Sequence, residues 1–218
     1  MARQTKKDLA YDYIKRCISE KRLLPGQRIT AAHLADEIGI SVLPVREALL
    51  KLEAERLVSL TPYVGAVVSW VSADEIYDVI RLLAVLEGYG TVEAAAQRAR
   101  LAPELTALND KLRLALNQGM WDWFIELNRS FHFTIYEAAG NTQLLDSIRV
   151  FWSQLDAMLA VTAFHLVPNR AAEDLREHEL ITRLLVDPAT DPWELERIGR
   201  EHRLRTAAYM RGQSVAFP

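Results

Sequence analysis

A chain of 218 residues, half of them apolar and a quarter charged, is long enough to bury two separate cores and excludes a disordered or low-complexity polymer. No apolar run approaches the ~20 residues that cross a bilayer, the opening MARQTKKDLAYDYIKR lacks the apolar stretch of a secretory signal, and a single cysteine, Cys17, excludes an intrachain disulfide, so a cytoplasmic protein is expected. The net charge of −3 is unevenly spread, with eleven Lys or Arg against eight Asp or Glu in residues 1–72 and fifteen against twenty-one in residues 73–218, a division that suits a first part meeting nucleic acid.

Leu9, Tyr13, Ile14, Cys17 and Ile18 recur at helical spacing and predict a first helix over about 6–21. Pro25-Gly26 breaks the chain, and Arg28-Ile29-Thr30 follows as a short extended piece. Thr30 is placed to cap a second helix that turns Leu34, Ala35 and Ile38 inward and ends at Gly39. Ser41 is placed to cap a third, whose inner face is Val45, Leu49 and Leu52. The β-branched runs LVSLT (57–61) and AVVSWV (66–71), separated by Pro62-Tyr63-Val64-Gly65, predict a two-stranded hairpin. Helix, helix, turn, helix, hairpin is the order of a winged helix-turn-helix.

From Ser72 the pattern changes. Ser72 and Glu75 have the spacing of a capping box, and a long amphipathic helix is predicted to about Ala99. Pro103 fits the first turn of the next helix, which Gly119 closes. Further helices are predicted over about 121–139, 142–165, 169–186 and 193–211. Six helices without a convincing strand predict an antiparallel bundle. The expected fold is therefore mainly α, with residues 1–71 forming the winged helix-turn-helix and 72–218 an all-helical domain. Trp121, Trp123, Trp152 and Trp193 follow apolar helix positions or helix starts and read as core or dimer contacts.

In a helix-turn-helix the second helix enters the major groove by its N-terminal end. The stretch LADEIGISVLPVREALLKLEAERLV (34–58) meets that demand. Arg46, on the face opposite Val45 and Leu49, would offer its guanidinium to a guanine edge or a phosphate, and Lys51 lies further along toward the backbone. Gly65 would let the hairpin tip approach the duplex without a side-chain clash. The phrases LLPGQRI, LADEIGIS, PVREALLKLEAERLV and VGAVV, in register over residues 8–70, resemble the winged helix of the bacterial GntR regulators. The resemblance implies that Ser41, Arg46 and Gly65 occupy DNA-contacting positions, on an inverted-repeat operator bound by a homodimer. It also exposes a departure. The family usually carries Arg-Thr where this chain has Val42-Leu43, so a polar contact is replaced by side chains suited to thymine methyl groups.

In the second half, His178 and His202 fall near the middle of the last two predicted helices, and Asn128 and His132 lie four apart on one helix face. Three imidazoles from three helices of a bundle can converge on one cation; equally, such histidines can be satisfied core or surface groups. The pieces RLLAVLE (81–87), NRSFHFTIYEAAGN (128–141), EHELITRLL (177–185) and EHRLRTAAYM (201–210) resemble the FCD effector domain of the FadR-like GntR subfamily. That resemblance implies a divalent metal (Zn, Ni or Mn) held by His132, His178 and His202 with Asn128 at the family's Asp position, and a small carboxylate or sugar-acid effector bound through open coordination positions. An amide in place of the carboxylate brings no negative charge. Arg81 and Arg149 are candidates for the effector's second charged end. The expected function is a ligand-responsive repressor, released from DNA by its effector. One alternative is the same regulator with a metal-free pocket for an apolar or acyl ligand. A remote one is a metal-dependent hydrolase using Glu177 or Glu201, disfavoured because each neighbours its histidine in sequence and so points about 100° away from it around the helix.

Overall fold

The computed structural model describes residues 5–61, 65–69, 72–161 and 170–212. The chain begins with α1 (Lys6–Ser19), capped by Thr5: its hydroxyl accepts from the Asp8 backbone N–H, and the Asp8 side chain accepts from the Thr5 backbone N–H. β1 (Arg28–Ile29), α2 (Ala31–Ile38), α3 (Val42–Ala54), β2 (Val58–Thr61) and β3 (Gly65–Val68) complete the winged helix. Gly39 closes α2 with a φ of 75°, the left-handed conformation that a side chain at this turn would resist. Thr30 and Ser41 stand at the N-cap positions of α2 and α3 as expected, yet neither side chain makes a capping hydrogen bond.

The wing is larger than the sequence predicts. β1 pairs antiparallel with β3, through Arg28 opposite Val67 and Ile29 opposite Ala66, so the sheet has three strands in the order β1-β3-β2. The tip residues 62–64 lie outside the described residues. Ile14, Val45, Ala48, Leu52, Leu57, Val58 and Ala66 form the buried centre of this unit.

The helical remainder comprises α4 (Ala73–Ala94), α5 (Arg98–Gln118), α6 (Trp121–Ala138), α7 (Thr142–Val161), α8 (Ala171–Val186) and α9 (Pro192–Gly212). The expected Ser72–Glu75 box starts α4: the Ser72 N–H donates to Glu75 Oε2 at 2.9 Å, and the Glu75 N–H to Ser72 Oγ at 3.2 Å. Pro103 departs from expectation. It sits inside α5, because a short 3₁₀ turn at Ala95–Gln97 ends α4 early and lets α5 begin at Arg98, ahead of the proline. The expected continuation of the α7 helix to about 165, with His165, lies outside the described residues.

The described residues group into two compact units, one reaching Ile76 and taking in α7 from Ser153, the other holding Tyr77–Trp152 and the chain from Arg170. In the second unit Leu101, Leu105, Leu112, Phe124 and Phe131 are fully buried. There α4 and α9 approach closely where Gly88 faces Gly199. A Cβ on Gly199 would lie 3.2 Å from the Gly88 Cα and 2.6 Å from the Thr91 hydroxyl, so only glycine fits.

Candidate metal centre and nucleic-acid interface

His132 on α6, His178 on α8 and His202 on α9 are all buried and converge, each with a ring nitrogen within 4.8 Å of the others. The Nε2 atoms of His132 and His202 lie 3.3 Å apart. Two imidazole donors on one divalent ion at ~2.0–2.1 Å would lie ~2.9–3.4 Å apart, so the pair already has metal-ligand spacing. Their other nitrogens are engaged: His202 Nδ1 meets Glu177 Oε2 at 2.6 Å, and His132 Nδ1 meets the Tyr136 hydroxyl at 3.2 Å. A carboxylate only accepts, so His202 donates from Nδ1, which leaves Nε2 as the nitrogen turned toward His132.

His178 is different. It is 0 % exposed, stacks on Phe131 with ring centroids 4.1 Å apart, and neither of its nitrogens has a hydrogen-bond partner among the described residues. Burial, then the proximity of His202 and the guanidinium groups of Arg203 and Arg170, pushes His178 well below its usual titration range. His132 shifts the same way, by burial first and then by His178 and His202. Both are thus neutral imidazoles, the form that ligates a metal.

Beside the cluster lies a buried ion pair. Glu87 on α4 accepts from Arg203 Nε and Nη2, both at 2.8 Å, and from the Trp152 indole N–H at 2.7 Å. Burial alone would lower the Arg203 proton affinity, but the Glu87 carboxylate more than offsets it and keeps the guanidinium charged. Arg203 also lies over the Trp152 ring, 4.5 Å from its centroid.

In the winged helix, α3 exposes Leu43, Arg46, Glu47 and Leu50 on one face while burying Val45, Ala48, Leu49 and Leu52. Leu43 is 66 % exposed. Val42 does not share that exposure. It packs partly against the core, so of the two departures only Leu43 stands fully free. Lys51 is exposed further along the helix, its ammonium 3.6 Å from the Tyr11 ring centroid, and the Tyr11 hydroxyl donates to Glu55 at 2.6 Å. Gly65 has a φ of 95°, with only ordinary contacts to Arg28 and Ile29 around a built Cβ; backbone conformation, not space, is what favours glycine there.

Residues 6–68 match the family of bacterial regulatory proteins called gntR, and residues 78–205 match the FCD domain. The chain is a GntR-family regulator with an FCD domain. It is a transcription regulator and not an enzyme. The HTH-type transcriptional regulator McbR of Escherichia coli is 28 % identical over 79 % of this chain and 78 % of its own length. A probable D-xylose utilization operon transcriptional repressor of Paenarthrobacter nicotinovorans is 25 % identical over 81 % and 78 %. Among solved structures, Escherichia coli McbR/YncC superimposes with a TM-score of 0.71 at 25 % identity, covering 96 % of this chain and 98 % of that one. A putative transcriptional regulator GntR from Rhodococcus sp. RHA1 gives 0.62 at 18 %, over 94 % and 97 %, a likeness of fold.

The regulator brings together three of the residues that sequence reasoning placed at the metal. Asn128 is half-buried one turn before His132 on α6. Arg81 and Arg149 do not join the cluster. Their side chains are 63 % and 50 % exposed, Arg81 beside Asp78 and Arg149 paired with Glu137 and Asp146. Each lies on the outer face of its helix, near the exposed apolar residues Leu82 and Val150, which is why an arginine among apolar neighbours misled. Trp152 is core as expected, whereas Trp193 is exposed. Sequence reasoning missed the Glu87–Arg203–Trp152 group, whose one trace is an acidic residue closing the apolar run RLLAVLE. Glu177 points to His202 Nδ1 rather than to the inner face of the cluster, so it is no general base for a hydrolase.

Proposed function

We propose that this regulator is a repressor whose helical domain holds a divalent metal at His132, His178 and His202, with Asn128 as a neutral fourth donor. Its effector is a small carboxylate that takes the remaining coordination positions. The observation that carries this reading is His178: a fully buried imidazole with two unmet nitrogens, beside two histidines whose Nε2 atoms already have metal-ligand spacing. Leaving a buried polar group unmet costs about 1–3 kcal/mol, and a cation at the centre of the three rings would relieve that cost for the one nitrogen that faces it. Bound there, the metal would supply a Lewis-acidic anchor for an oxyanion. The chain's own part is to keep two imidazoles neutral, to aim two Nε2 atoms and to surround them with Phe131 and Trp152. On DNA, Arg46 and Leu43 on the exposed face of α3 read the major groove, with Ser41 near the backbone and Gly65 at the wing; the partner is an inverted repeat bound by a homodimer. Leu82, Val85 and Tyr89, exposed along one side of α4, are the surface that favours self-association. An effector changes operator affinity only by its preference for one of two states of the protein.

The test is an operator-binding titration at fixed salt, using metal-loaded protein and a panel of small mono- and dicarboxylates. At least one should weaken DNA binding in wild-type protein and fail to do so in His178→Ala. Release by an apolar or acyl ligand that persists after chelation would favour a metal-free pocket instead.

A further inference from the structure

With the amide Asn128, not a carboxylate, one turn before His132 on α6, the three-histidine cluster has no anionic donor among the described residues, and a divalent ion in so buried a place needs charge compensation. The structure supplies an anion one bond further out. Glu177 is mostly buried and its Oε2 lies 2.6 Å from His202 Nδ1, the shortest contact His202 makes. It is held there from two other sides: Arg170 donates to the same oxygen at 2.8 Å, and Arg205 approaches Oε1 at 3.5 Å. Arg170 is itself anchored by Asp174 at 3.0 Å. Asp174, Glu177 and His202 also have the mutual distances of a second cation site, but the buried Arg170 guanidinium already serves both carboxylates.

This arrangement does two things to His202. It holds a proton on Nδ1 and turns Nε2 toward His132 across 3.3 Å. It also passes carboxylate charge into the imidazole, raising the ring's donor strength toward a cation on its far side. His132 has no carboxylate in direct contact: its Nδ1 partner is the Tyr136 hydroxyl, behind which Glu87 stands. We propose, resting on the reading of the cluster as a metal centre, that Glu177 is its positioning residue and supplies through His202 the negative charge that Asn128 does not.

The experiment is zinc affinity, by competition with a chromophoric chelator, for wild-type, Glu177→Gln, Glu177→Asp and Asn128→Asp/Glu177→Gln proteins. A second readout, free of metal, is the His202 tautomer from long-range proton–nitrogen NMR. Removing such an outer partner weakens metal binding ~10–100-fold. We expect Glu177→Gln to fall in that range, Glu177→Asp to keep most of the affinity, and Asn128→Asp to restore the Gln variant toward wild type. His202 should carry a proton on Nδ1 in the metal-free wild type and lose that preference in Glu177→Ala, a fifth protein made for this readout alone. The thermal unfolding midpoint of each metal-free variant shows whether it is folded, and the wild-type tautomer decides the matter even where a variant is not. Zinc binding in wild type that changes less than about threefold in a folded Glu177→Gln, or a His202 proton found on Nε2, overturns the role of Glu177 alone. A wild-type protein that binds no zinc removes the metal centre, and this role with it.

Discussion

Glu87→Ala should be among the most damaging single substitutions in the helical domain. Glu87 is 1 % exposed, and its two oxygens accept three short hydrogen bonds, two from Arg203 and one from the Trp152 indole. Removing one partner of a buried ion pair costs about 3–5 kcal/mol, because the other charge stays buried without compensation. The orphaned indole N–H adds about 1–3 kcal/mol, and the two overlap because both groups relax into one cavity, so roughly 4–6 kcal/mol is expected. Glu87→Gln keeps an acceptor for Trp152 but loses the charge, and should cost less than alanine. Replacing both Glu87 and Arg203 by methionine removes the unpaired charge altogether and should recover most of the loss. Urea unfolding of metal-free protein, followed by near-ultraviolet circular dichroism, gives the four values. A Glu87→Ala loss under about 1 kcal/mol, or a double variant less stable than Glu87→Ala, would refute the account of a pair that is costly to break and dispensable as a unit.

Burial depresses His132 and His178, so the folded chain keeps them neutral where the unfolded chain protonates them; metal-free stability should hold above pH 6.5 and fall below it. The slope is at most about 1.4 kcal/mol per pH unit for each histidine, until their folded-state values are reached, and equal urea midpoints at about pH 7 and 5.5 would contradict it. Arg46→Ala should weaken operator binding by about 1–3 kcal/mol at fixed salt, and an unchanged titration removes Arg46 from the contacts. Gly199→Ala forces a Cβ to 2.6 Å from the Thr91 hydroxyl and should cost about 1–3 kcal/mol in thermal or urea unfolding; a neutral result would mean α4 and α9 pack less closely than described.

The helices and the winged order were legible because apolar residues keep strict helical spacing and Gly39, Gly119 and Gly140 mark the stops. The extended piece at Arg28-Ile29 was legible as well, but its place in the wing sheet was not, since that pairing depends on β3, far along the chain. Pro103 misled because α5 begins at Arg98, so the proline falls in the second turn of the helix instead of the first. The three histidines could be singled out from their helix positions, but their convergence depends on how α6, α8 and α9 pack. What surrounds them was hidden. Glu87 and Arg203 are distant in sequence, and Glu177, adjacent to His178, serves His202 instead. Arg170, at the start of α8, gave no sign of being the buried cation between Asp174 and Glu177.

The most direct measurement of the central claim is metal content per chain, by elemental analysis of untagged protein dialysed free of loose ions. The account predicts about one equivalent of a divalent transition metal in wild type and almost none in His178→Ala, with the variant still folded. Wild-type protein that carries no metal, even after incubation with zinc, nickel or manganese, would contradict it.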